Sequence, residues 1–164
     1  MRKWTALLLI LLLVTAVPLS GCGKDKRSTA TYAETLYAAR NPYINNNAAD
    51  ADIADSLRLS RYGKYTLSVD SKKHPYTLTI SYMYTRDDFD AATFDQDMPH
   101  RAAVLLALIK DCEQVDWSYP NGSSKVNGSL SIDAANQMTV TDVKATWKSQ
   151  EDFTALLDHL GLNQ

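Results

Sequence analysis

The chain has 164 residues, of which 45% are hydrophobic, and 17 basic against 19 acidic side chains give a net charge of −2 at pH 7. That near-balance excludes a protein built around a strongly basic nucleic-acid face. Two cysteines are too few for a disulfide-stapled scaffold, and the length suffices for one domain with its own core.

Met1-Arg2-Lys3 is a short basic segment, followed by Trp4 to Leu19, which is apolar apart from Thr5 and Thr15. At 16 residues this run is shorter than the ~20 a spanning helix needs and suits the apolar region of a secretory signal. It ends in Leu19-Ser20-Gly21-Cys22, which resembles the lipobox of bacterial lipoproteins. The resemblance implies transfer of a diacylglyceryl group to the Cys22 thiol and cleavage between Gly21 and Cys22. Cys22 then anchors the protein to the outer, extracytoplasmic face of the cell membrane. Two acyl chains give stable attachment where one gives marginal binding. The expected organisation is a signal peptide over residues 1–21, a lipidated cysteine and flexible tether over 22–31, and a single domain over 32–164. Loss of Arg2 and Lys3 leaves 15 basic against 19 acidic residues. Lys24, Lys26 and Arg27 in the tether either stay solvated or touch anionic headgroups.

Tyr32 to Arg40 places Ala33, Leu36, Tyr37 and Arg40 at helical spacing, and Asn41-Pro42 should end this first helix. Asn45-Asn46-Asn47 reads as a tight turn, since asparagine tolerates positive φ and caps helices. A second helix follows, with Asp50, Asp52 and Asp55 loading its N-terminal half, Ala49, Ile53 and Leu57 as its buried edge, and Gly63 as its stop. The spacing Asp50-x-Asp52-x-x-Asp55 lacks the glycine turn of a calcium loop. The three acids are therefore expected to form a solvated face that complements the helix dipole.

The stretch LYAARNPYINNN, Leu36 to Asn47, resembles the opening signature of a small bacterial domain of unknown function. That domain occurs in Gram-positive lipoproteins and is appended to BlaR-type membrane metallopeptidases. Leu36, Tyr37, Pro42, Tyr43, Ile44, Asn46 and Asn47 carry the match, with Asn45 where glycine is usual. The resemblance continues through PYTLTISY and AAVLLALI toward the C-terminus, and it implies no activity and no catalytic residue.

Lys64 to Asp70 and Tyr76 to Thr85 alternate with period two, and the polar link Ser71 to Pro75 makes them a hairpin. Tyr76, Leu78, Ile80, Tyr82 and Tyr84 fall on one face, read as a packed face whose hydroxyls reach the rim rather than as a stacking platform for a sugar or base. Arg86 to Asp97 reads as an acidic loop with one helical turn. Pro99 then opens a buried helix over residues 99–111, because Ala102 to Ile109 is apolar throughout. Val115 to Tyr119 is a strand, turned by Pro120-Asn121-Gly122. Ser123 to Gly128 reads as loop, and Ser129 to Asp133 and Gln137 to Thr141 as short strands. Thr141 is expected to cap a short helix holding Val143 and Trp147. Ser149 opens a last helix with Phe153, Leu156, Leu157 and Leu160 on one stripe and Gly161 as its stop.

The expected fold is α+β: a mostly antiparallel sheet of four or five strands on a central apolar helix, with flanking N- and C-terminal helices. With Cys22 lipidated, Cys112 has no partner in the chain and reads as a buried, inert thiol. His74, His100 and His159 are scattered, and no metal, nucleophile or phosphate-loop motif occurs. These features point away from an enzyme and call for no cofactor. The reading that follows is a membrane-anchored envelope module binding a peptide, a polymer or a partner protein. The alternatives are an envelope hydrolase with a site assembled from distant residues and a structural or immunity-type partner protein.

Overall fold

The computed structural model describes residues 30–163, so Gly21, Cys22 and the basic tether residues lie outside the described part. The fold is α+β, and the described residues form a four-stranded mixed sheet with five α-helices. The helices are α1 (Tyr32–Ala38), α2 (Asn47–Ser56), α3 (Ala91–Leu108), α4 (Ile132–Met138) and α5 (Gln150–His159). The strands are β1 (Gly63–Asp70), β2 (Thr77–Thr85), β3 (Gln114–Asn121) and β4 (Ser124–Ser131). Sheet order follows chain order: β1–β2 and β3–β4 are antiparallel, and β2–β3 is parallel with α3 as the crossover. Among the described residues no helix is long and apolar enough to cross a membrane.

The sheet buries one face. Leu78, Ile80 and Tyr82 of β2 join Val115, Trp117 and Tyr119 of β3 and Leu130 of β4 in a core shared with Phe94, Met98 and Ala102 to Ile109 around α3. The alternate positions Thr66, Ser68, Thr79, Ser81, Asp116 and Asn127 are polar, as expected of a sheet with one solvated face. The tyrosine row holds only in part. Tyr82 is buried and its hydroxyl donates to Leu59 O at 3.0 Å, but Tyr84 is exposed. The break comes from a bulge. Lys64 pairs with Tyr84 while Tyr65 pairs with Tyr82, so Met83 is the extra residue and the faces exchange beyond it.

Four expectations are corrected. The acidic stretch before Pro99 is helical: Asp90 caps α3 by accepting from Thr93 N at 2.8 Å, and Phe94 and Met98 extend the buried stripe back from Arg101. The long helix is therefore residues 91–108 rather than 99–111, with Pro99 inside it, where it forgoes one backbone bond. Ser124 to Gly128 is strand, not loop, because β4 pairs with β3 from Asn121↔Ser124 to Gln114↔Ser131 around a turn at Gly122 (φ +62°). Of the two short strands expected over Ser129 to Asp133 and Gln137 to Thr141, the first is the end of β4 and the second does not form; helix α4 runs between, capped by Ser131, whose hydroxyl accepts from Ala134 N at 3.2 Å. Farther on, Val143 is buried and Trp147 sits in a 3-10 turn, Ala145–Lys148. Asp142 rather than Thr141 organises this turn, its carboxylate accepting from Lys144 N at 2.9 Å.

The helical ends are well satisfied. Thr31 and Glu34 form a capping box on α1, and Ser149 caps α5 by accepting from Asp152 N at 3.1 Å. The Lys144 ammonium donates to Leu106 O at 2.5 Å and Ile109 O at 2.8 Å, closing the C-terminal end of α3.

Candidate functional site

The residues Asn41 to Asn47 join three parts of the chain. Asn41 is buried, and its backbone N–H donates to Leu108 O at 2.8 Å while its C=O accepts from Lys110 N at 2.9 Å. Its side-chain amide donates to Tyr43 O at 2.7 Å and to Asp50 Oδ1 at 2.9 Å. The Ile44 N–H donates to Asp111 Oδ1 at 2.7 Å, and Asn46 caps α2. Leu36 and Ile44 are buried, and Tyr37 packs on Phe153 while its hydroxyl donates to Trp147 O at 2.9 Å. Asn45, Asn46 and Asn47 make their turn without positive φ, which among non-glycine residues described belongs to Arg58 alone.

Asp50 departs from expectation. Only 1% of it is exposed, so it faces the core rather than solvent. It stands at the first position of the stripe Asp50, Ile53, Ala54, Leu57, all buried at i, i+3, i+4 and i+7. Burial pushes its carboxyl up to about 6, the Asn41 hydrogen bond opposes this, and the nearby Asp111 charge adds to it. Asp52 and Asp55 remain exposed.

Asp50 also belongs to the wall of a groove of about 470 Å³ between α2 and β1. Asn47, Ala51 and Asp55 line the helix side, and Tyr65, Leu67 and Val69 line the strand side. This row pairs with the fully buried Tyr82, Ile80 and Leu78, yet its own side chains are only half-buried. The apolar face of the sheet thus runs on past its helical cover. Among the described residues β1 pairs on one side only, leaving a backbone edge beside the groove. The Tyr65 hydroxyl donates to Asp55 Oδ1 at 3.0 Å and ties helix to strand, and burial together with that bond raises its pKa.

The groups weighed for chemistry do not converge there. Cys112 is buried, its thiol donates to Gln114 O at 3.3 Å, and burial pushes its pKa up to about 11, the reverse of an activated nucleophile. His74 pairs with Glu113 at 2.7 Å on the surface and stacks on Tyr76. Burial raises the Glu113 carboxyl, but His74 and the Tyr76 N–H outweigh it and hold the group below its ordinary value. Ser131 lines the same open depression, with its hydroxyl engaged as the cap of α4. His159 bonds Met138 O at 3.1 Å, and His100 is half-buried on α3. Sequence reasoning missed the α2/β1 groove and the burial of Asp50, although the stripe that Asp50 opens was present in the spacing.

No curated protein and no solved structure matches the chain. A family match covers residues 36–132, from the Leu36-Tyr37 of α1 through β4 to the start of α4. That span holds the whole sheet, the Asn41–Asp50 junction and both walls of the groove. With well over half its length matched, the chain belongs to the family described as domain of unknown function, DUF4825.

Proposed function

We propose that the protein is a lipoprotein of the bacterial envelope, cleaved between Gly21 and Cys22 and held at the outer face of the membrane by lipid on Cys22. Its domain binds an extended peptide segment of an envelope partner along the α2/β1 groove and acts as a binding or sensing module rather than an enzyme. The observation that carries the binding reading is the half-covered row Tyr65, Leu67 and Val69 on a strand paired on one side. A peptide strand added to that edge gains main-chain hydrogen bonds and sets alternate side chains on the row. Among the described residues, Asp50 and Asp55 line the groove against the single cation Lys64, which favours a peptide with basic residues between its apolar ones. The lipobox and the LYxxxxPYxxNN signature, with its kin in lipoproteins and beside membrane metallopeptidases, support the setting.

The test is a titration of the ¹⁵N-labelled chain from Gly23 onward with a Lys-Val-Lys-Val-Lys-Val peptide. Amide shifts should concentrate in Gly63–Asp70 and Asn47–Asp55, and Leu67→Asp should abolish them. Shifts located elsewhere, or unaffected by Leu67→Asp, would overturn the reading. A hydrolase reading draws on one observation, the His74–Glu113 pair beside Ser131. It requires cleavage of wall peptides or esters that His74→Ala removes.

A further inference from the structure

A smaller cavity of about 140 Å³ lies apart from the groove, lined by Tyr32, Arg58, Arg61, Asp97, Arg101 and Leu162. Arg101 is 5% exposed and fixed by three bonds: Nη1 to Leu57 O at 2.6 Å, Nε to Tyr62 Oη at 3.2 Å and Nη2 to Asp97 Oδ2 at 3.0 Å. A guanidinium carries five N–H groups, so two remain to donate. The Asp97 carboxylate is already engaged, accepting from both Arg101 and the Tyr62 hydroxyl. Arg58 and Arg61 make no ion pair among the described residues. Their guanidinium groups lie over the rings of Tyr32, at 5.8 Å, and Tyr62, at 5.4 Å, which keeps them at the cavity. Among the described residues, three guanidinium groups thus line the cavity with one carboxylate.

The backbone adds a second observation. Arg58 has φ 55° and ψ 39°, a left-handed conformation that favours glycine. Arg58 follows the C-cap residue Leu57 of α2 in a conformation that glycine adopts at lower cost, and its side chain lines the cavity.

We propose that this cavity is a binding site for a phosphate oxyanion. Its volume suits one small anion and falls below the roughly 300–1,000 Å³ of sites for larger ligands. One planar carboxylate is satisfied by one guanidinium fork, whereas the oxygens of a tetrahedral phosphate can accept from several. The anion is either inorganic phosphate or the phosphodiester of a lipid headgroup. Tyr32, in the wall, follows Cys22 by ten residues, a span of at most about 35 Å. The headgroup source rests on the lipid anchoring proposed above; the phosphate chemistry does not.

The experiment uses the chain from Gly23 to Gln164, whose described part closes on a single core. Thermal midpoints are measured in phosphate, acetate and chloride at equal ionic strength. Phosphate at about ten times its Kd should raise the midpoint by roughly 3–6 °C, saturably. Acetate and chloride should not. Arg58→Gly should keep or raise the midpoint without anion and weaken phosphate binding at least about fivefold, and Arg61→Ala should weaken it similarly. Co-sedimentation with phosphatidylcholine vesicles, with and without phosphatidylglycerol, separates the sources. Retention that needs phosphatidylglycerol, Arg58 and Arg61, and is competed by phosphate, assigns the headgroup; phosphate binding without retention assigns the free ion. An equal response to acetate, no phosphate response, or a response unchanged in both variants would overturn the site.

Discussion

The Asn41 side-chain amide donates to one oxygen of the buried Asp50 carboxylate at 2.9 Å, and the other oxygen has no partner among the described residues. A half-satisfied buried carboxyl is held more comfortably with its proton than without it. The folded state therefore binds this proton more tightly than the unfolded chain, with a carboxyl raised from 3.8 to about 6. The contribution of Asp50 to stability is full below about pH 4 and is lost as pH rises through about 6. Charging it in the fold costs on the order of 3 kcal/mol. Asp50→Asn removes that titration. The variant should equal or exceed the parent in stability at about pH 7.5 and lose that advantage near pH 4, measured by urea denaturation across pH. A variant weakened most at the higher pH would show that the charge is stabilising.

Arg101 should be among the least replaceable side chains. Arg101→Met leaves Leu57 O without its donor and the partly buried Asp97 with the Tyr62 hydroxyl but no cation, and breaking such a pair costs about 3–5 kcal/mol. Arg101→Lys retains the charge but cannot hold three acceptors in one plane, so it should fall between parent and Met in chemical denaturation.

Gly128 stands opposite Trp117 in the β3–β4 ladder, and a Cβ there would lie 2.2 Å from the indole ring. Gly128→Ala should displace the ring or part the strands. The expected loss is about 1–3 kcal/mol, with a change in Trp117 emission. An unchanged thermal midpoint would mean that the ladder yields freely.

Cys22→Ala should abolish incorporation of labelled palmitate in a bacterial host and leave precursor with its leader attached. Labelling that persists would remove Cys22 as the lipid acceptor.

The sequence carried the elements whose pattern is local. The β1–β2 hairpin, the last helix and the apolar middle of α3 all declare their period within a few residues. The failures share a cause, which is polar residues at inward or structural positions. Asp90, Asp95 and Asp97 masked the Phe94, Met98 and Arg101 stripe of α3. In β4 the inward positions Val126, Gly128 and Leu130 alternate weakly because glycine stands in the middle, and it does so to admit a ring from the neighbouring strand. Asp50 looked like a solvated acid because the partner that donates to it, Asn41, is placed by the end of α3, far along the chain. The α2/β1 groove depends on how far a helix covers a strand, which no local pattern records.

The crossover through α3 gives the molecule a seam. Each half of the sheet is a hairpin between near neighbours in sequence, β1 with β2 and β3 with β4. The halves meet in a single parallel ladder, Thr77–Ser81 against Gln114–Ser118. Local pairings close early and the join across α3 closes late, since long loops delay the contacts they permit. Amide exchange should therefore find two blocks whose protection differs, parted at that ladder. A ligand spanning only β1 should slow exchange in the first block and leave the second as it was.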